Sequence, residues 1–254
     1  MEERPNLLKS SLADGRPSIG LWCSLASALT TEVVAGSGAG WLLVDGEHSP
    51  NDLRSVVAQL QVLGGFPCEG VVRLPSDDPV AIKRYMDAGA RSLMIPNVRD
   101  AAQARRVVEA MTYAPGGFRG FSVGHRANQF GRIAGYHANA RRNQLLAVQI
   151  ECAIGVANAA EIAAVEGVDV LFVGPGDLST NLGFMGNPGA PEVQAAIATV
   201  GRAAAAAGKA GGILAPVKAD ADRYLGDGFT MVAVGSDLGL LARASDALVA
   251  SFSR

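Results

Sequence analysis

The chain is predicted to fold as an α/β (β/α)8 TIM barrel, on three observations. Its 254 residues suit one barrel domain. Short apolar runs alternate with longer amphipathic, Ala-rich segments eight times along its length. The short runs are almost continuously hydrophobic, as strands are when both faces are buried in a parallel sheet covered by helices. Eight strand–helix units in this length favour a closed barrel, with an open doubly wound sheet as the main rival. The whole chain, 1–254, is read as a single domain.

In order, strands are expected near 18–23, 41–45, 70–74, 91–95, 145–151, 169–174, 210–214 and 230–235. Helices are expected near 28–38, 50–64, 78–88, 100–112, 154–165, 190–207, 218–226 and 237–252. Several helix starts carry side chains that satisfy the free amides of a first turn: Ser49-Pro50-Asn51-Asp52, Ser76-Asp77-Asp78-Pro79 and Ser236-Asp237. Residues 113–144 break the rhythm, being polar, rich in Gly, Asn and Arg, and carrying His125 and His137. A connection this long is usually functional or an interface element. Because it enters a strand, it is expected to start at the face opposite its own active site and to serve subunit contact, with both histidines at the surface or interface.

Composition narrows the function classes. With 24 acidic and 22 basic residues the chain lacks the charge excess that nucleic acid or an anionic membrane demands. No apolar run reaches the length of a transmembrane helix. Met1-Glu2-Glu3-Arg4-Pro5-Asn6 lacks the apolar core of a signal peptide. Cys23, Cys68 and Cys152 have no metal-ligand spacing, and their odd number argues against a disulfide framework. A reduced, cytoplasmic protein is expected.

Barrel enzymes place their chemistry where parallel strands end, because side chains from different strands converge there. Four apolar runs end in charged or acid–base residues: Trp41-Leu42-Leu43-Val44-Asp45-Gly46-Glu47-His48, Val71-Val72-Arg73, Leu146-Ala147-Val148-Gln149-Ile150-Glu151, and Leu171-Phe172-Val173-Gly174-Pro175-Gly176-Asp177. Glu151 and Asp177 are expected at the ends of the fifth and sixth strands. Neighbouring strands lie about 4.8 Å apart, so these carboxylates could share a hard cation such as Mg2+ or Mn2+. A structural use is also open, with Asp177 capping a turn and Glu151 pairing with an Arg. Asp45 beside His48 could fix an imidazole as a general base, or could merely cap a turn. Arg73 offers forked donors to an oxyanion or carboxylate, or a buried ion pair with Asp45 or Glu47. A metal, a base and a cation on one rim describe an enzyme that makes and stabilises an enolate.

Two other barrel chemistries fit less well. Glycoside hydrolysis also uses paired carboxylates, but of the two Trp residues only Trp22 lies near a strand exit. Schiff-base catalysis needs a lysine on the rim. Lys9 precedes the barrel, Lys83 falls in a helix, Lys209 precedes its strand, and Lys218 starts a helix where solvent is its natural surroundings.

Together these motifs resemble the HpcH/HpaI aldolase family of metal-dependent pyruvate aldolases. The match continues through Asn51-Asp52, Val173-Gly174-Pro175-Gly176-Asp177-Leu178-Ser179, Gly186-Asn187-Pro188 and Pro191-Glu192-Val193-Gln194, and runs from about Gly20 to Leu248. The resemblance implies a (β/α)8 barrel, usually a homohexamer built as a trimer of dimers, with the C-terminal helix exchanged between subunits. It implies Glu151 and Asp177 as ligands of Mg2+, Mn2+ or Co2+, His48 with Asp45 as the acid–base dyad, and Arg73 as the enolate partner. Gln149 and the backbone at Gly176 would line a pyruvate pocket, and Glu47 would hold a metal-bound water. The implied reaction is reversible cleavage of 4-hydroxy-2-oxo acids to pyruvate and an aldehyde. Small-molecule oxo acids and aldehydes are thus the expected partners, with no nucleic acid and no membrane. The alternatives are a citrate-lyase-like enzyme acting on CoA thioesters, which would need a more basic surface, and a scaffold with a structural metal.

Departures from the family pattern concern specificity. Gly176 stands where Ala is common, and the smaller residue could admit a bulkier donor such as hydroxypyruvate. Ala190 and the Gly120–Arg126 stretch also differ. Trp22, Leu214 and residues 113–144 are expected to shape the aldehyde site. Phosphorylated aldehydes are expected to be poor substrates, because Asp237 sits at the helix N-terminus where a barrel phosphate would bind.

Overall fold

The structure, a computed structural model, describes residues 3–252. A short helix α1 (Leu7–Ala13) precedes the barrel; Asn6 caps it by accepting the Lys9 amide. Its Leu8 and Leu12 join the cluster inside the barrel. Next come β1 (Ser18–Cys23), α2 (Ala28–Ala35), β2 (Trp41–Asp45), α3 (Leu53–Leu63), β3 (Glu69–Arg73), α4 (Pro79–Asp87), β4 (Ser92–Ile95) and α5 (Ala101–Met111). A single turn, α6 (Tyr136–Asn139), lies in the long connection to β5 (Leu145–Ile150). After β5 come α7 (Ala153–Ala157), α8 (Ala159–Ala163), β6 (Val170–Val173), α9 (Pro175–Asn181) and α10 (Pro191–Ala206). The chain closes with β7 (Ala210–Leu214), α11 (Lys218–Gly226), β8 (Met231–Ser236) and α12 (Asp237–Ala250).

All eight strands are parallel and form a closed barrel, β8 pairing with β1. Two cores result. One lies between strands and helices, built on residues such as Val44, Ile95, Leu146 and Val232. The other fills the barrel, where Trp22, Trp41 and Phe172 meet with ring centroids 5.7 to 6.3 Å apart. Small residues make room for them: a Cβ on Gly20 would overlap the Trp41 indole, and one on Gly212 would overlap the Phe172 ring.

The elements differ from expectation in several places: α1 and α6 are additional helices, α2 ends at Ala35 instead of near residue 38, and three further differences have clear structural causes. The helix expected over 154–165 is broken into α7 and α8 at Asn158, whose side chain donates to the Arg99 carbonyl at 2.8 Å instead of facing solvent along a continuous helix. The stretch after β6, where no helix was expected, forms α9, with Pro175 at its first turn where a missing N–H costs nothing. The second helix starts at Leu53 instead of residue 50, because Asp52 and Ser55 cap each other's backbone.

Residues 113–144 return along the N-terminal end of the barrel, as expected. Arg126 donates to the Ala88 carbonyl just ahead of β4, and Leu145 takes up the Arg91 carbonyl. His125 is a correction. It is buried, with its Nε2 3.4 Å from the Tyr113 hydroxyl and its ring packed against Tyr136 and His137. Phe118, Phe121, Val123 and Phe130 of the same segment are exposed. Among the described residues, no helix is long and apolar enough to cross a membrane.

Candidate active site

The β2–β3 register sets Asp45 directly beside Arg73 at the C-terminal rim. Arg73 Nε and Nη2 each donate to an Asp45 oxygen at 2.8 Å, and Nη1 lies 2.9 Å from Glu47 Oε2. The guanidinium carbon also sits 5.7 Å from the Trp22 ring centroid, so the cation is held from three sides. Burial by itself would raise the Asp45 pKa, but the Arg73 fork and the amides of Glu47 and His48 outweigh it and hold the carboxyl below its usual range. For Glu47 burial wins over the Arg73 charge, and its pKa rises. Arg73 therefore makes ion pairs with both Asp45 and Glu47.

The Asp45–His48 dyad expected from the sequence does not form. Both Asp45 oxygens are taken by the planar guanidinium, and Oδ1 also accepts the Glu47 and His48 amides at 3.0 and 3.3 Å. A bidentate fork in matched register outcompetes a single imidazole contact. The His48 ring instead stands largely exposed on the β2–α3 loop, with its Nε2 3.8 Å from Glu47 Oε2. That loop is braced by Asn51, which donates to the Asp45 carbonyl at 2.8 Å and accepts from Ser55 and Gln59 at 2.8 and 2.6 Å. Gln59 in turn accepts from Thr31 at 2.9 Å, tying the loop to α2. Sequence reasoning saw Asn51 as part of a helix-start signal and of the family motif but gave it no bracing role; the polar Gln59 on an otherwise apolar helix face was the clue to its partner.

Glu151 follows β5 directly and is buried. Its Oε1 accepts the Asn97 amide at 2.7 Å and its Oε2 accepts from Gln149 Nε2 at 3.2 Å. Asn97, which the sequence reading missed, adopts a left-handed φ of 50° just beyond β4, and that turn aims its N–H at the carboxylate. Burial, followed by the charges of Asp177 and Glu47, pushes the Glu151 pKa up to about 7 against the pull of the Asn97 amide. Asp177 is not at a strand end. It lies in the first turn of α9, four residues past Val173, and is exposed. Its charge is nonetheless the largest carboxylate influence on Glu151.

The donors here suit a hard cation. Three carboxylates press on one another around Glu151, and the buried Gln149 Oε1 has no hydrogen-bond partner. A Cβ on Gly174 would lie 2.6 Å from Glu151 Oε2, so glycine keeps that oxygen clear. A Cβ on Gly176 would meet nothing within 4 Å. Among the described residues no three His, Cys, Asp or Glu side chains form a closed metal cage. The protein thus offers Glu151 and Asp177, and an ion held there would keep open positions for water or ligand oxygens.

Trp22 and Leu214 both line a cavity of about 230 Å3 at the ends of β1, β7 and β8. Asp237 is buried and turned toward the β1–α2 loop, accepting from the Ser24, Leu25 and Leu238 amides at 2.8, 3.2 and 2.7 Å. Neither Lys9 nor Lys218 is free for the rim: Lys9 pairs with Asp169 at 3.2 Å below the barrel and Lys218 with Asp222 at 2.6 Å on the surface of α11.

The sequence profile of the HpcH/HpaI aldolase/citrate lyase family matches residues 18–244. The chain is 48% identical over 255 residues to a 4-hydroxy-2-oxovalerate aldolase of Rhodococcus jostii strain RHA1, covering 100% of this chain and 98% of the relative. It is 46% identical over 250 residues to a 5-keto-4-deoxy-D-glucarate aldolase of Klebsiella pneumoniae subsp. pneumoniae, covering 98% of each. A crystal structure of an HpcH/HpaI aldolase/citrate lyase family protein from Burkholderia cenocepacia J2315 superposes with a TM-score of 0.94 at 39% identity, covering 97% of this chain and 98% of that one. With the closed barrel, the rim carboxylates and relatives matched end to end, the chain belongs to the HpcH/HpaI aldolase/citrate lyase family.

Proposed function

We propose that the protein is a divalent-metal-dependent aldolase. It would cleave 4-hydroxy-2-oxo acids to pyruvate, or a close analogue such as hydroxypyruvate, and an aldehyde, and run the reverse addition. The observation that carries this reading is Glu151, a buried carboxylate whose charge is destabilised by Asp177 and Glu47 beside an unpartnered Gln149 oxygen. The aldolase names of the Rhodococcus and Klebsiella relatives support the same class. Glu151 and Asp177 would hold the ion, Mg2+, Mn2+ or Co2+. When bound, such a cation supplies Lewis-acid stabilisation of the charge that develops on the 2-oxo group, worth several kcal/mol.

The chain's own residues would do the rest. Gln149 and the open backbone at Gly174 and Gly176 orient the oxo acid. His48, free of Asp45 and exposed, takes the proton of the 4-hydroxyl as the C3–C4 bond breaks, and the hydroxyl becomes the aldehyde carbonyl. The electron pair of that bond passes to the oxo-acid fragment as its enolate, whose negative charge faces the Arg73 cation, and protonation of the enolate carbon by solvent then gives pyruvate. Asp45 and Glu47 position that cation. Trp22 and Leu214 wall the space beyond. Addition of chelator abolishes oxo-acid cleavage and Mg2+, Mn2+ or Co2+ restores it. Full activity in chelator, with borohydride trapping of an enzyme–pyruvate adduct, overturns the metal reading.

Thioester cleavage is the weaker reading: a net charge of −2 gives no overall basic excess to attract a nucleotide, and the two relatives at 46–48% identity bear aldolase names. The assembly is proposed to be a homo-oligomer, a hexamer built as a trimer of dimers with α12 exchanged. Supporting this, only Asp237 of α12 is buried, while Leu240, Leu241 and Leu248 stand exposed together with Leu29 and Val33 of α2.

A further inference from the structure

Gln59 is the one polar residue on the buried face of α3, beside Val56, Leu60 and Leu63, and it is fully buried. A buried amide is costly wherever a partner is missing, and an apolar side chain of the same shape would fill the space without that liability. Here each of its groups is used. Nε2 donates to Asn51 Oδ1 at 2.6 Å and to the Ser55 carbonyl at 3.1 Å, and Oε1 accepts from the buried Thr31 hydroxyl at 2.9 Å.

Backbone carbonyls set the direction of this chain of amides. The Ser55 carbonyl can only accept, so the Gln59 NH2 group must face it. At the other end Asn51 Nδ2 meets the Asp45 carbonyl at 2.8 Å, again a group that can only accept, and this turns Asn51 Oδ1 toward Gln59. Each amide thus has a single orientation, and α3 is locked to the exit of β2. The loop between them carries His48. Its backbone is held on both sides of that residue: Asp45 Oδ1 accepts the His48 amide at 3.3 Å, and Ser49 Oγ donates to the Asp45 carbonyl while accepting from Asn51 at 2.9 Å. The His48 ring has no comparable hold. It is largely exposed, with Glu47 Oε2 3.8 Å from its Nε2. Where the ring can reach is therefore decided by the loop backbone, and the loop backbone by Asn51 and Gln59.

We propose that Gln59 is a positioning residue for proton transfer: through Asn51 it holds the β2–α3 loop so that the His48 ring meets the 4-hydroxyl of the substrate. The proposal rests on the aldolase reading and deepens it at that same site. Misplacing a reacting group by about 1 Å can cost on the order of 10²-fold in rate. The test is Gln59→Met, which fills a similar volume without the amide, assayed with 4-hydroxy-2-oxopentanoate and Mn2+. Its kcat falls about 10- to 100-fold, while KM, Mn2+ affinity by calorimetric titration and exchange of pyruvate methyl protons with solvent stay within about threefold of wild type. Exchange reads enolate formation beside Glu151 and Arg73, in which His48 takes no part. Because Gln59 acts only through His48, adding Gln59→Met to His48→Ala lowers kcat by less than about a further twofold. A kcat in Gln59→Met within about twofold of wild type overturns the proposal. So does a parallel loss of Mn2+ affinity and exchange, or a full second loss of kcat in the double variant. Cleavage by His48→Ala at the wild-type rate removes the role of His48 and the proposal with it, and leaves the aldolase class intact. Absence of both cleavage and exchange in the wild-type enzyme removes the aldolase reading as well.

Discussion

Replacing Glu151 by glutamine in the metal-free protein is expected to make it more stable, by an amount that depends on pH. The Glu151 pKa rises from 4.5 to about 7, chiefly through burial and then through Asp177 and Glu47. A rise of that size, about 2.5 pH units, corresponds to about 3 kcal/mol between the two protonation states. Because the folded pKa is raised, the folded protein binds the proton more tightly than the unfolded chain. Its stability is therefore full below about pH 4.5 and falls as the pH climbs through 7. The amide introduced by Glu151→Gln carries no charge, and its oxygen can still accept the Asn97 N–H. Chemical denaturation in chelator should show the variant more stable than wild type by about 3 kcal/mol at pH 8, with the gap closing toward pH 4.5. Adding Mn2+ should stabilise wild type and leave the variant little changed. A variant less stable than wild type at pH 8, or a gap that does not vary with pH, refutes this account of Glu151.

Two further outcomes test the site and the core. His48→Ala should lose oxo-acid cleavage by about 10²- to 10⁴-fold, the usual range for a positioned acid–base group, while Mn2+ affinity measured by calorimetric titration stays close to wild type. Gly20→Ala drives a methyl group into the buried Trp41 indole and should destabilise the barrel by about 1–3 kcal/mol, read from denaturant midpoints.

Much of the fold was legible because the signals for parallel strands are local. The run Trp41–Asp45 is apolar up to its last residue and fully buried, and each of the eight expected strands is present within two residues at either end. Asp52 and Asp78 announced their helices by residue type. Misreadings fell where a distant group overrides the local pattern. Asn158 interrupts a helical stretch because its amide reaches the Arg99 carbonyl, 59 residues away in sequence. His125 was expected at the surface or an interface, yet within the chain Tyr113 and Tyr136 close over it.

At the site, the residue types that stand at the strand exits could be read from the chain order alone: Asp45 and Arg73 at two neighbouring strands, Glu151 after a third, Asp177 beyond a fourth. Periodicity fixes where a strand ends, so these positions follow from the order of apolar and charged residues. How the groups pair was decided only in three dimensions. Asp45 had both His48 and Arg73 available, and the parallel register of β2 with β3 gave it to Arg73. The left-handed turn at Asn97 that feeds Glu151 is likewise absent from any local pattern. Pairing depends on the distance and direction between side chains remote in sequence, and closure of the barrel is what sets both.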